Sequence, residues 1–248
     1  MRRSLFFALV LLTLGAPVSR GQTIDAAKSY FDRGRASYAN GELDRAIDDF
    51  SVAIMFDPAY AVAYYGRGNA KRANGDFLGA ISDYSNAIQI SPRFWQAYAN
   101  RGAALFVQGD TDGAIADCDK AISINSRTAE PYNTRGLARH STGDLSGAVC
   151  DFDKAIEINS RYAMAYYNRA RVWQERRDFN RAIADFTITI KLNPSFALTY
   201  ANRGLIKLLQ GRSEDAQRDF DQCLTLDDSL RRLLMERIKE VRRALGTR

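Results

Sequence analysis

The sequence has little of the chemistry on which metal-dependent and nucleophilic enzymes rely. His140 is the single histidine among 248 residues, which excludes a site with several histidine ligands and leaves no convincing Ser/His/Asp set. No glycine-rich phosphate loop occurs, and the carboxylates recur at regular intervals as salt-bridge and capping residues would. We therefore predict that the chain is not an enzyme and holds no cofactor or metal.

Cysteine is also scarce, with Cys118, Cys150 and Cys223 far apart in the chain. Their spacing fits neither a disulfide framework nor a zinc site, so we expect no bridge and no metal. Cys118 and Cys223 fall on inward helical positions, where a thiol behaves as a small apolar group, whereas Cys150 falls on an outward position.

Long apolar runs are limited to the N terminus. Met1-Arg2-Arg3 precedes an apolar run, Leu5 to Leu14, and a small, turn-prone segment follows to Gly21. This order predicts a signal peptide over residues 1–21, cleaved after Ser19 or Gly21, and an exported protein that is periplasmic or secreted. An uncleaved anchor is the alternative, but the run is well short of the roughly 20 residues of a membrane span.

Excess charge of one sign is confined to the two ends of the chain. The net charge is +6, of which residues 229–248 contribute +5 and the three arginines of residues 1–21 contribute +3. Residues 22–228 are therefore near −2, and with the export signal this near-neutral body disfavours nucleic acid as a partner.

One pattern does dominate the sequence, an Arg-Gly pair that recurs every 34 residues. A fixed period of this length is typical of an array in which one unit is repeated and touches only its neighbours. The pair becomes Arg-Ala in the fifth unit; its six copies begin at Arg33, Arg67, Arg101, Arg135, Arg169 and Arg203.

Each unit contains two segments with helical periodicity. In the second unit, small or apolar residues recur at intervals of three and four, as Tyr64 and Gly68 do in the first half and Ala80 and Tyr84 in the second. The turn Asn74-Gly75-Asp76 separates the halves, because Gly suits a helix end and Asp can begin the next helix.

This spacing of aromatic, Gly, Ala, aromatic, Ala and closing Pro resembles the tetratricopeptide repeat. The resemblance implies an all-α fold, a right-handed α-solenoid of six helix-turn-helix repeats over residues 27–228, followed by a basic capping helix over residues 229–248. The implied repeats are residues 27–60, 61–94, 95–128, 129–162, 163–196 and 197–228.

The chain departs from the family pattern at the residue before the first Gly, which is Arg in all six units rather than the usual Leu. An Asp recurs in phase in the second half of each unit, for example Asp83 and Asp117. We expect each Arg, such as Arg101, to pair with one of these Asp residues across the helix packing, because an unpaired half-buried Arg is costly. The alternative is that both side chains are solvated.

The segment from Ser229 to Leu245 is predicted to form one more helix, with an apolar stripe that includes Leu234 and Ile238 and a largely basic remainder. A repeat array needs an end element with one solvated face, so capping is the simpler interpretation. The alternative is contact of this helix with a membrane surface or another anionic partner.

The family resemblance also implies a binding groove, the concave face lined by first helices. At these positions the chain offers aromatic, amide and arginine side chains, which suit an extended peptide, although they could equally be ordinary exposed residues. The candidate peptide-binding residues are Phe31, Arg35, Tyr38, Tyr65, Asn69, Arg72, Asn100, Phe106, Asn133, His140, Tyr167 and Arg171.

The leading functional hypothesis is thus a non-catalytic scaffold that binds an unidentified protein or peptide in this groove. The second hypothesis is a protein that associates with an anionic membrane or polymer through its basic C-terminal helix.

Overall fold

A computed structural model describes residues 20–246, which are almost entirely helical and contain no strand. The predicted signal peptide falls mainly on residues 1–19, outside the described residues. None of the helices between residues 20 and 246 combines the length and the hydrophobicity that a membrane span requires.

The chain divides between Ser126 and Arg127 into two compact units. The odd-numbered helices α1 to α11 are the first helices of the repeats, and the even-numbered helices are the second helices. The first unit contains α1 Arg20–Ala39, α2 Leu43–Phe56, α3 Ala61–Ala73, α4 Phe77–Ile90, α5 Trp95–Val107 and α6 Thr111–Ile124.

The second unit continues with three more helix pairs and a C-terminal helix. Its elements are α7 Ala129–Ser141, α8 Leu145–Ile158, α9 Ala163–Glu175, α10 Phe179–Leu192, α11 Ala197–Leu209, α12 Ser213–Leu226, a 3₁₀ turn Asp228–Leu230, and α13 Arg231–Gly246. Within each unit, successive helices pack against one another as stacked pairs, which confirms the predicted all-α solenoid packing.

The turn inside each pair has the geometry that its sequence predicts. Gly75 has φ +83°, in the left-handed region, and the Asp76 carboxylate accepts a hydrogen bond from the backbone N–H of Gly79 at 2.8 Å. In the fifth repeat Arg177 takes the place of the turn glycine and keeps the left-handed conformation, with φ 59°. The fold therefore imposes this turn even on a residue that disfavours it.

In four of the six repeats, the Gly of the first helix lies against an aromatic ring of the second helix. A Cβ atom added to Gly136 would lie 2.7 Å from the ring of Phe152, closer than ordinary packing allows. In the third repeat Cys118 replaces the aromatic residue, and an added Cβ on Gly102 would meet its sulfur at 3.2 Å. Cys118 and Cys223 are buried and Cys150 is exposed, as their helical positions predict.

The predicted Arg–Asp pairs are confirmed, and each joins the first helix of a repeat to the second helix of the same repeat. The Arg101 guanidinium donates from Nε and Nη2 to the two carboxylate oxygens of Asp117, at 2.6 and 2.7 Å. Asp83, the other partner considered for Arg101, binds Arg67 instead. The six pairs are Arg33–Asp49, Arg67–Asp83, Arg101–Asp117, Arg135–Asp151, Arg169–Asp185 and Arg203–Asp219.

Several of these arginines, including Arg67 and Arg101, also reach back to the preceding repeat. Arg101 Nη1 donates to the Ser85 hydroxyl at 2.9 Å, and Arg67 Nη1 donates to the Ser51 hydroxyl at 3.0 Å. Ser85 lies on the second helix of the preceding repeat, so Arg101 connects α5, α6 and α4. The Leu that the family usually has at this position could not make these hydrogen bonds.

Alternate repeats add a second cation to the pair. Lys71 lies 2.8 Å from Asp83, Arg139 lies 2.9 Å from Asp151, and Lys207 lies 2.8 Å from Asp219. The corresponding positions of the first, third and fifth repeats hold Ser37, Leu105 and Trp173, which carry no charge.

The first pair is the weakest of the six. The Arg33 side chain is 55% exposed and makes one contact of 3.0 Å with Asp49. The second carboxylate oxygen of Asp49 is buried without a hydrogen-bond partner. Burial consequently raises the pKa of Asp49 above its usual value of 3.8, although Arg33 acts in the opposite direction.

The C-terminal helix starts later than predicted, because a 3₁₀ turn precedes it. The Asp227 carboxylate accepts hydrogen bonds from the backbone N–H and the hydroxyl of Ser229, which fixes that turn. Leu234 and Ile238 are buried in a core that also contains Leu205 and Leu208 of α11. The first helices after α1 each pack on the second helices of their own and of the preceding repeat, whereas α13 packs mainly on a first helix, α11.

Candidate protein-binding face

The residues predicted to bind peptide lie on the first helices, and we call the surface that these helices form in each unit the first-helix face. In the first unit this face is built by α1, α3 and α5, and in the second by α7, α9 and α11. Whether the twelve candidates contact a ligand stays a prediction, but their surroundings differ sharply.

In α1, the aromatic candidate Phe31 is half-buried, its ring 5.7 Å from that of Phe50 and 5.1 Å from that of Tyr60. Arg35 lies over this ring at 5.9 Å and is exposed, as is Tyr38. Phe31 therefore belongs largely to the core, while Arg35 and Tyr38 are accessible to a partner.

In α3 and α5, the amide candidates bind one another. Asn100 donates to the Tyr65 hydroxyl at 3.0 Å and to the side-chain oxygen of Asn69 at 2.8 Å. The Tyr84 hydroxyl also donates to Asn69 at 2.8 Å, and burial raises the pKa of Tyr84 to about 12. These side chains hold adjacent first helices together.

Of the remaining candidates in the first unit, Arg72 is exposed and Phe106 is half-buried. Arg72 interacts with the Tyr84 hydroxyl and lowers the pKa that burial raises. Its guanidinium remains accessible on the same face as Arg35.

The second unit repeats the amide arrangement. Asn168 donates to the oxygen of Asn133 at 2.9 Å, and Asn202 donates to the Tyr167 hydroxyl at 3.0 Å. Asn133 and Tyr167 are both buried, and burial raises the pKa of Tyr167. The prediction overlooked Asn168, although it is 35 residues after Asn133, the same separation as between Tyr65 and Asn100.

His140 and Arg171 face a different environment in the second unit. His140 Nε2 lies 2.7 Å from Glu175 Oε2, which links α7 to α9. Arg171 is exposed and lines two adjoining pockets together with Asn202 and Arg237. Arg237 lies on α13, and its place in the basic part of that helix gave no sign that it would line this face.

The described residues contain no cluster of three or more His, Cys, Asp or Glu side chains that could hold a metal ion. Among the twelve candidates, the exposed side chains are the guanidinium groups of Arg35, Arg72 and Arg171 and the phenol ring of Tyr38. Such groups can bind carboxylates and peptide backbone by hydrogen bonds and apolar side chains by contact.

Three family models match parts of the sequence. Two described as "Tetratricopeptide repeat" match residues 65–133 and 197–229, and one described as "TPR repeat" matches residues 34–75. No curated protein sequence matches the chain significantly.

Several solved structures are similar. A crystal structure of MamA is 27% identical with a TM-score of 0.58, over 66% of this chain and 96% of that one. PilF of Pseudomonas aeruginosa is 17% identical with a TM-score of 0.71, over 90% and 99%. YrrB, described as a TPR protein with an unusual peptide-binding site, is 21% identical with a TM-score of 0.56, over 68% and 88%.

Proposed function

The chain is a tetratricopeptide repeat protein, and from this premise we propose that it is a non-catalytic scaffold that binds a peptide segment of another protein on its first-helix faces. Proteins of this family are generally scaffolds without catalytic activity. The exposed guanidinium groups and aromatic rings of the first-helix faces support a binding role for this chain, because such groups can hold carboxylates and apolar side chains of a partner.

The observation that carries the proposal is that some polar side chains of the first-helix faces bind neighbouring helices while others remain exposed. Side chains such as Asn100 and Asn133 are used in contacts between helices, whereas Arg35, Arg72 and Arg171 stay exposed on the same surface. Exposed guanidinium groups beside aromatic rings are frequent anchors at protein interfaces. YrrB, with its peptide-binding site, offers a precedent in a similar fold.

Binding of an anionic membrane through α13 is less well supported. Leu234 and Ile238, which a surface-bound helix would insert into lipid, are buried against α11. The exposed large apolar side chains of α13, Leu233 and Met235, are two residues apart and therefore do not form one continuous apolar face.

We also propose export of the mature chain, on the strength of the basic start and the apolar run of residues 1–21. N-terminal sequencing of the protein from the exported fraction tests this directly. A mature N terminus close to Ser19 or Gly21 supports export, and an intact Met1 in the cytosolic fraction contradicts it.

The scaffold proposal is tested by partner capture from the exported fraction. The triple variant Arg35→Ala/Arg72→Ala/Arg171→Ala is compared with wild type and with Arg45→Ala/Arg161→Ala/Arg218→Ala, which removes three exposed arginines outside the first-helix faces. We expect the first variant to lose most partner signal and the second to retain it. Identical partner sets for all three proteins would defeat the proposal.

A further inference from the structure

A cleft lies in the second unit between α13 and the neighbouring first helices. α13 packs on α11, and its residues face Leu198 and Leu205 across a pocket of about 220 Å³. Leu233 lines this pocket and is 51% exposed, so an apolar wall remains accessible although its neighbour Leu234 is buried. A volume below the roughly 300–1,000 Å³ of small-molecule sites suits a side chain rather than a cofactor.

A second pocket of about 260 Å³ adjoins the first and contains polar groups, including His140, Gln174 and Glu175. Arg171, Asn202 and Arg237 line both pockets, so the two form one continuous depression. We call it the C-terminal cleft; it lies between the first helices α7, α9 and α11 on one side and α13 on the other.

The charge of the C-terminal cleft is unbalanced. Among residues 20–246, no carboxylate pairs with the guanidinium of Arg171 or of Arg237. Glu175, the acidic residue that lines the cleft, is already bonded to His140 at 2.7 Å. The arginine that recurs in every repeat, by contrast, is used in an Arg–Asp pair. Two accessible guanidinium groups without a carboxylate partner, beside an apolar pocket, favour an anionic, partly apolar ligand.

We propose that the C-terminal cleft binds an extended peptide segment of a partner protein in which an acidic side chain is close to a large apolar one. The carboxylate lies between Arg171 and Arg237, and the apolar side chain enters the pocket beside Leu198 and Leu233. Asn202 already donates to the Tyr167 hydroxyl, which leaves its side-chain oxygen to accept a peptide N–H. α13 is therefore a wall of the binding site as well as the cap of the array.

This inference rests on the proposed scaffold function and gives it a location and a ligand chemistry. The probe is a phage-displayed library of random twelve-residue peptides selected on the chain from residue 22 to its C terminus. We expect the enriched peptides to contain Asp or Glu within two residues of Leu, Ile, Phe or Met. Enrichment without an acidic residue, or no enrichment at all, would overturn the proposal.

Two matched pairs of variants then locate the binding of an enriched synthetic peptide. Arg171→Gln/Arg237→Gln is compared with Arg232→Gln/Arg242→Gln, which removes the same charge from exposed positions outside the cleft. Leu233→Ser is compared with Met235→Ser, since Met235 is 49% exposed on the same helix but does not line the pocket. The cleft variants should weaken the peptide Kd about tenfold or more, and the controls less than about threefold.

Circular dichroism tests whether each variant is folded. We expect all of them to fold, because every substituted side chain is exposed. Equal affinities for cleft and control variants would reject the cleft. Vesicles of phosphatidylglycerol serve as the competing probe, and binding of vesicles but not peptides through Arg171 and Arg237 would also reject it. Partner capture that depends on Arg35 and Arg72 but not on Arg171 and Arg237 would reject the cleft and leave the scaffold function standing.

Discussion

The Arg101 guanidinium and the Asp117 carboxylate face each other in parallel, joined by hydrogen bonds of 2.6 and 2.7 Å, with side-chain exposures of 23% and 9%. The net contribution of such a half-buried bidentate pair to stability is small. Removal of one partner is costly, because it leaves the other charge half-buried without a counter-charge. The pair joins α5 to α6, and the hydrogen bond from Arg101 to Ser85 joins both to α4.

Removal of one partner from this pair should destabilise the fold. We expect Asp117→Asn to lower the free energy of unfolding by about 3 kcal/mol, because the half-buried guanidinium of Arg101 loses its counter-charge. Urea unfolding followed by circular dichroism measures the change. Asp32→Asn is the control, since Asp32 is 55% exposed and 3.9 Å from Arg35, and should cost less than about 0.5 kcal/mol. A loss for Asp117→Asn as small as that for Asp32→Asn would contradict a stabilising role of the Arg–Asp pair.

Asp49 should make stability depend on pH in the opposite sense from a well-paired carboxylate. Its folded-state pKa is raised above 3.8 by burial, so the folded protein binds this proton more tightly than the unfolded chain. Wild type should therefore gain stability relative to Asp49→Asn as the pH falls through the raised pKa towards about 3.8. Urea unfolding of both proteins between neutral pH and pH 3.5 measures the difference, and a difference independent of pH contradicts the assignment.

Arg177→Gly should stabilise the protein by about 1 kcal/mol, because Gly adopts φ 59° without the strain of a Cβ atom. Arg177→Ala is the matched control, since it removes the same side chain and keeps the Cβ. Thermal unfolding of the two variants isolates the backbone contribution. If Arg177→Ala stabilises as much as Arg177→Gly, the side chain and not the turn is responsible.

The two glycines Gly102 and Gly136 should respond differently to the same added methyl group. Gly136→Ala places a Cβ 2.7 Å from the buried ring of Phe152, and we expect a loss of about 2 kcal/mol. Gly102→Ala places its Cβ no closer than 3.2 Å to Cys118 and Ala114, so the loss should stay below about 1 kcal/mol. Chemical denaturation of the two variants provides the comparison, and a larger loss for Gly102→Ala would contradict the packing argument.

The repeat architecture was accessible from the sequence because each element of the pattern has a local cause. Gly68 permits close packing, Gly75 forms the turn, and Arg101 requires a carboxylate of matching period. The periodicity could not decide between Asp117 and Asp83 as the partner of Arg101, since both recur every 34 residues. That choice depends on how far the two helices of a repeat are offset, which only the packing determines.

The candidate site was less predictable, because family position does not show what neighbouring repeats do with a polar side chain. Asn133 and Tyr167 occupy groove positions, yet both are buried and accept hydrogen bonds from the next first helix. The separation of 35 residues between donor and acceptor was a signal that could have identified them. The path of α13 left no such signal, since its apolar stripe shows which side is buried but not that Leu205 and Leu208 cover it.

The alternation of single and double cations around the repeated Asp has a consequence for the length of the array. Asp83, Asp151 and Asp219 each contact two basic side chains, so the charge pattern repeats every two repeats, or 68 residues. A chain shortened by two repeats would preserve this alternation at the new junction, whereas one shortened by a single repeat would bring two like repeats together. In the design of shorter or longer versions, the natural module is thus a pair of repeats, four helices at a time.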